Sequence, residues 1–172
     1  PGESDQEIKT KFESFLSSNF WPVNMEMLSA NINFNHYSSD PIDITNNVKV
    51  ITSPHGHPGG ASSIRVEIDR FSVTYVTDCE HPESHLNQNV IDIAKNTDIL
   101  IHDAQYTPEQ IPNHKGWGHS SWKHCTEVAS KAKAKKLVLF HHNPDHGDSI
   151  LEDIEQEARK LFEELILLIK PD

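Results

Sequence analysis

Hydrophobic and polar positions alternate with a period of two through the middle of the chain. Ile64, Val66 and Ile68 alternate with Arg65 and Glu67, and Phe71, Val73 and Tyr75 alternate with Ser72 and Thr74. This predicts two half-buried strands joined at Asp69-Arg70, a β-hairpin. Further strands are predicted over 31–37 and 47–53, on either side of the turn-rich Ser38-Ser39-Asp40-Pro41. At the start the period is helical over 5–18. Ser4 and Glu7 have the spacing of a capping box, and Ile8, Phe12, Phe15 and Leu16 form one apolar stripe. After the hairpin the rhythm changes to a helix near 87–95, an apolar strand at 99–101, a helix over 121–133, a strand at 137–140 and a long final helix. Cys125, Val128, Ala129 and Ala132 recur at i, i+3, i+4 and i+7, so they face a core and Cys125 reads as packing. Ser149 and Glu152 box the final helix, whose stripe runs through Leu151, Ile154, Ala158, Leu161, Phe162 and Leu165 and stops before Pro171. The order is that of an α/β fold. No repeat, linker or low-complexity tract divides residues 1–172, so one domain is expected.

A hydrophobic share of 35% and a charged share of 24% fit a soluble globular protein. No apolar run approaches the ~20 residues that cross a bilayer. The net charge of −11 opposes binding to a long polyanion, and the basic cluster at 131–136 falls at the end of a predicted helix, where cations favour the macrodipole. A small substrate suits this charge better than long nucleic acid. Cys79 and Cys125 are too few for a disulfide framework, which makes a reducing cytoplasm the simplest compartment. The chain opens at Pro1 without a methionine or a signal-peptide pattern and is expected to be a piece of something longer. Twelve histidines in an acidic chain make imidazole and carboxylate the natural ligands for zinc, manganese or iron.

In α/β proteins ligand-binding side chains gather where strands leave the sheet at their carboxyl ends. Asp78, Asp103 and His141 sit at such ends, and His57 follows the strand-breaking His-Gly-His-Pro-Gly-Gly. His57 and His141 can give imidazole nitrogens to two different cations while Asp78 bridges both, an arrangement that holds a hydroxide. His55 competes with His57 for this role and His142 with His141, although strand alternation lets only one of the latter pair face the site. Cys79 is expected to pack in the core. Gly116-Trp117-Gly118-His119-Ser120-Ser121 leads into the helix at 121, with Ser120 as its N-cap and His119 exposed just outside the first turn. There His119 could protonate a departing oxygen, with Asp103 as its orienting partner or as a strand-end cap. Trp117 either stacks on a base or plugs the core.

Together, His57-Pro-Gly-Gly, Tyr75-Val-Thr-Asp78, Ile101-His-Asp103-Ala-Gln-Tyr, Gly118-His119-Ser-Ser-Trp122 and Leu139-Phe-His141-His resemble the metallo-β-lactamase-fold superfamily. The branch they are most similar to contains transfer-RNA 3′-processing endonucleases and cyclic phosphodiesterases. The resemblance spans about residues 20–150. It implies an αββα sandwich, of which this chain is the downstream portion, and two divalent metal ions, zinc first with manganese or iron also possible. It also implies His57 as a ligand of the first ion, Asp78 as the bridge, His141 as a ligand of the second, and His119 with Asp103 as the proton-transfer pair. The family pattern has Thr where Ser121 stands. Its earlier His-x-His-x-Asp-His loop has no counterpart upstream; His141-His-Asn143-Pro-Asp145-His146 is a near miss that would demand a permuted chain.

Two functions follow as expectations. The first is a metal-dependent phosphodiesterase acting on a small cyclic or nucleotide diester, completed by the missing upstream half and weakly metal-loaded without it. Thioester or lactam hydrolysis is the variant of this reading within the same fold. The second is a non-catalytic oligomerisation or sensing module that retains the fold. A half-sandwich leaves an apolar sheet face open, so a homodimer or a second chain carrying the missing half is expected.

Overall fold

The alternation of the hairpin runs through a whole sheet in the computed structural model, which describes residues 4–16, 21–34 and 40–167. The chain divides into two units, Pro1–Ser38 and Ser39–Asp172.

In the first unit helix α1, Asp5–Phe15, begins at the expected box: the Glu7 amide donates to Ser4 Oγ, and the Ser4 amide donates back to Glu7 Oε2 at 2.8 Å. It stops short of the predicted end, and residues 17–18 lie outside the described ones. The predicted strand at 31–37 is not found over 31–34, and 35–37 lie outside the described residues. Alternation alone does not make a strand, because the backbone groups need a paired neighbour. Phe34 instead packs on Phe12, with ring centroids 5.4 Å apart.

The second unit is a seven-stranded sheet whose strands lie in chain order. These are β1 Ile42–Thr45, β2 Val48–His55, β3 Ala61–Ile68, β4 Phe71–Val76, β5 Ile99–Asp103, β6 Lys136–Phe140 and β7 Leu165–Leu167. From β1 to β4 neighbours are antiparallel; β4 to β7 run parallel. Each parallel connection carries a helix, as such a crossover requires: α2 Gln88–Ile93, α3 Trp122–Ala132 and α4 Asp148–Leu161.

Three further predicted ends are corrected. The N-cap of α3 is Ser121, not Ser120: its hydroxyl accepts the His124 amide, while Ser120 Oγ donates to Cys79 O at 2.5 Å. The final helix begins after Gly147 without a side-chain cap, so the expected box of Ser149 and Glu152 is not formed. It also ends at Leu161, and Leu165 belongs to β7. The spacing of Leu161, Phe162 and Leu165 suits a helix, but pairing with β6 buries Leu165 and gives the carbonyl before it a partner, the Leu137 amide donating to Glu164 O at 2.9 Å.

Val76, Leu100, Leu137, Leu139 and Leu165 face the helices and pack on Val90, Cys125, Val128, Ala129, Ile154 and Ala158. Full burial contributes about 1.5–3 kcal/mol for each larger side chain. On the opposite face Ile64, Tyr75, Ile101, Val138 and Ile166 lie in one row across five strands. That face is apolar but open: Ile64 is 40%, Ile68 45%, Phe71 47% and Ile166 45% exposed. One sheet with helices on one face is half of an αββα sandwich.

Candidate active site

The parallel strands deliver three predicted site residues to one edge of the sheet. Asp103 is the last residue of β5, Asp78 follows β4 by two residues, and His141 follows β6 directly. Asp78 and His141 both turn away in the left-handed region, with φ of 51° and 61°. This conformation costs an L-residue about 1 kcal/mol or more and is stored where side-chain placement matters. His57 enters from the loop after β2, where Gly60, at φ 77°, donates its amide to His57 O at 2.9 Å.

Donor atoms of His57, Asp78 and His119 lie within 4.8 Å of one another, and so do those of Asp103, His119 and His141. His119 therefore stands between the two groups, its ring centroid 6.1 Å from that of His57 and 4.9 Å from that of His141. The trio expected from the sequence, His57, Asp78 and His141, is thus split across two groups that share His119.

Asp103 is fully buried. Its Oδ2 lies 2.7 Å from His119 Nδ1 and 3.6 Å from His141 Nδ1 and accepts the Cys79 amide at 3.3 Å, while Oδ1 accepts the amides of Gln105 and Ser120. Burial pushes its pKa up, but the hydrogen bond from His119 and the nearby His141 imidazole more than reverse this and hold the carboxyl below its usual range. The contact with Asp103 in turn raises the pKa of His141. Because a carboxylate only accepts, His119 carries a proton on Nδ1, which leaves Nε2 as its reacting nitrogen.

The competing histidines lie apart from both groups. His55 is buried, donates from Nε2 to the carbonyls of Thr77 and Asp78 at 3.0 and 3.2 Å, and accepts from Ser63 Oγ at 2.8 Å, so it props the Asp78 turn from beneath. His142 is partly buried, and burial lowers its pKa. Cys79 is buried as expected, although β4 ends at Val76 and strand alternation is not the reason. Trp117 does not plug the core: it is 60% exposed and meets His114 edge-on at 5.0 Å.

A third trio, Cys79, His81 and His102, is buried on the helix side of the edge. His102 Nδ1 donates to Asp103 O, leaving a lone pair on Nε2, whereas His81 Nδ1 accepts the Asn87 amide, so its Nε2 carries the proton. Both Nε2 atoms are buried without a hydrogen-bond partner among the described residues.

The sequence pattern gives no role to Glu80 and marks Ser120 only as a helix cap. Glu80 accepts the amides of Gly116 and Gly118, and Ser120 ties the His119 loop to Cys79. Two glycines flanking Trp117 were the available signal. Both are left-handed, and a Cβ on Gly118 would fall 2.1 Å from His57 Cδ2. A cleft of about 360 Å³ opens beside His57, lined in part by Pro58, Glu80, Pro82 and Asn87.

His57, Asp78 and His141 offer two imidazoles and a carboxylate, the donor chemistry of a zinc-type hydrolase centre. His141 Nδ1 is buried without a hydrogen-bond partner. His57 Nδ1 accepts the Gly59 amide at 3.2 Å; ligation through Nε2 requires that amide to turn to solvent, which exposed Gly59 permits. The residues present fit divalent cations.

Known proteins bear on this geometry. Over 89 residues the chain is 38% identical to ribonuclease Z of Archaeoglobus fulgidus; the match covers 49% of this chain and 28% of that protein, so the chain spans less than a third of that relative. Among solved structures, the metallo-beta-lactamase fold protein YhfI from Bacillus subtilis superposes with a TM-score of 0.71 at 17% identity, covering 98% of this chain and 61% of that one. Zn(2+)-bound PqqB from Methylobacterium extorquens does so with 0.59 at 9% identity, covering 80% and 54%. Residues 9–142 match the profile of the beta-lactamase superfamily domain, and the chain belongs to that family, with the metallo-β-lactamase fold.

Proposed function

We propose that this chain forms the downstream half of the active site of a metal-dependent phosphodiesterase. The observation that carries the reading is His119, oriented by buried Asp103 and set between the donor groups of His57 with Asp78 and of His141. His57 would hold one divalent cation, His141 a second, and Asp78 would bridge them. Zinc suits this donor set first, with manganese or iron as alternatives. When bound, such cations supply Lewis acidity and an activated water. His119, protonated, gives the proton on Nε2 to the departing oxygen, while its Nδ1–H stays on Asp103. Upstream residues outside this chain provide the remaining ligands, and the segment that carries them covers the open sheet face.

The net charge of −11 supports a small cyclic or nucleotide diester as substrate. The likeness to ribonuclease Z supports a second reading, in which the substrate is RNA and basic groups outside this chain bind it. The test is hydrolysis by the chain joined to its upstream segment, with bis(p-nitrophenyl) phosphate, a 2′,3′-cyclic nucleotide and an RNA oligonucleotide as substrates. Chelator-sensitive turnover restored by zinc or manganese, and faster on the small diesters, is expected. Preference for the oligonucleotide favours the second reading. Turnover that ignores the chelator, or no turnover after reloading, contradicts both.

A further inference from the structure

Glu80 carries a negative charge beside a site meant for an anionic diester, so direct contact with the substrate would be repulsive. Its hydrogen bonds give it another role. Oε1 accepts the Gly116 amide at 2.7 Å and Oε2 the Gly118 amide at 2.8 Å, so one carboxylate grips both ends of the Gly116-Trp117-Gly118 turn. Both glycines sit in the left-handed region, at φ of 78° and 88°. Lys115, the cation of this loop, is paired with Glu83 at 2.7 Å, and the two amides are the donors that the turn brings to Glu80. Such charge-assisted bonds are stronger than neutral ones.

The backbone of Glu80 reaches the second loop. Its amide donates to Gly56 O at 2.8 Å, directly before His57, and a Cβ on Gly56 would lie 2.7 Å from Glu80 O. Its neighbour Cys79 accepts Ser120 Oγ and donates to Asp103 Oδ2. Segment 78–80 thereby joins the loops of His57, Asp103 and His119.

We propose that Glu80 is a positioning residue that holds His119 at its working distance from the His57 side of the site by clamping the glycine turn before it. The inference rests on the phosphodiesterase reading. Glu80 takes no part in proton transfer; its removal frees the turn, and His119 no longer stays where the leaving oxygen departs.

The test compares Glu80→Ala and Glu80→Gln in the metal-loaded protein with its upstream segment, on an alkyl phosphodiester and on a p-nitrophenyl phosphodiester. Glu80→Ala should lower kcat at least about tenfold on the alkyl ester and under about threefold on the nitrophenyl ester, whose leaving group needs no proton. Metal content should not change. Combined with His119→Ala, it should cost nothing further on the alkyl ester, because both changes remove one function. Glu80→Gln retains one acceptor and should lose less; if Glu80→Ala fails to fold, the same ratios are read from Glu80→Gln. Amide exchange at Gly116 and Gly118 should speed up in either variant. Equal losses on the two esters, or losses that multiply with His119→Ala, overturn the positioning role. Unchanged exchange at both glycines overturns the clamp itself. A His119→Ala variant with no leaving-group dependence overturns the phosphodiesterase reading instead, whatever Glu80 does to exchange.

Discussion

Oδ2 of Asp103 lies 2.7 Å from Nδ1 of His119 in a carboxylate with no exposed surface. Asparagine there must turn a donating amide toward either His119 or the backbone amides of Gln105 and Ser120, leaving one donor facing another. Asp103→Asn should therefore cost about 1–3 kcal/mol of stability. It should also lower kcat about ten- to a hundredfold on a diester with a poor leaving group, less than loss of His119 does. Thermal melting and steady-state kinetics check the two together, and full turnover in this variant contradicts the pairing.

Gly118→Ala meets two obstacles at once, a φ of 88° and a Cβ only 2.1 Å from His57 Cδ2. Strain and displacement should together destabilise the fold by about 1–3 kcal/mol. Gly147→Ala, where an added Cβ meets nothing within 4 Å, is the control and should stay within about 1 kcal/mol of the parent. Urea titration of both variants reads the difference, and equal stability contradicts the close approach.

Burial lowers the pKa of His102 to about 4 and of His81 to about 2. Folded pKa values below the unfolded one mean that the folded state binds fewer protons, so stability is lost as pH falls below the ordinary histidine value of about 6.5. Each such histidine contributes up to ~1.4 kcal/mol per pH unit, to about pH 4 for His102 and further for His81. His55, His124 and His142 are shifted the same way. Asp103, lowered, loses its contribution only under more acid conditions. His141, raised, contributes stability that is full below about 6.5 and lost as pH rises through its folded pKa. Unfolding free energy of the metal-free chain should fall from pH 6.5 to 4.5, with a shallower slope in His81→Gln; a flat profile contradicts the buried neutral imidazoles.

The apolar row on the open sheet face predicts that the chain by itself associates with concentration. Phe71→Glu, at a position 47% exposed, should weaken that association without loss of fold. Sedimentation velocity checks this, and a monomer at every concentration in the parent contradicts it.

The hairpin and the strands feeding the site were legible because one-sided burial writes a period of two, and because short apolar runs in an α/β order are buried strands. β1 was not, since Ile42 and Ile44 form an exposed edge only four residues long. β7 was hidden because Leu161, Phe162 and Leu165 keep a helical spacing after the helix has ended. At the site, strand ends announced Asp78, Asp103 and His141. Glu80 gave no such signal, because its partners are backbone amides of glycines, which leave no side-chain pattern. The position of His119 within reach of both donor groups depends on the path of its loop, which spacing does not determine.

That position makes one measurement decisive. His119 is close enough to both donor groups to be a ligand, yet in the proposed mechanism it is a proton donor and the cations belong to His57, Asp78 and His141. Elemental analysis after gel filtration, on the protein with its upstream segment and on four single alanine variants, separates the two roles. Lowered metal content is expected in His57→Ala, Asp78→Ala and His141→Ala, and parental content with reduced turnover in His119→Ala. Parental content in the first three, or loss of metal in His119→Ala, would contradict that mechanism.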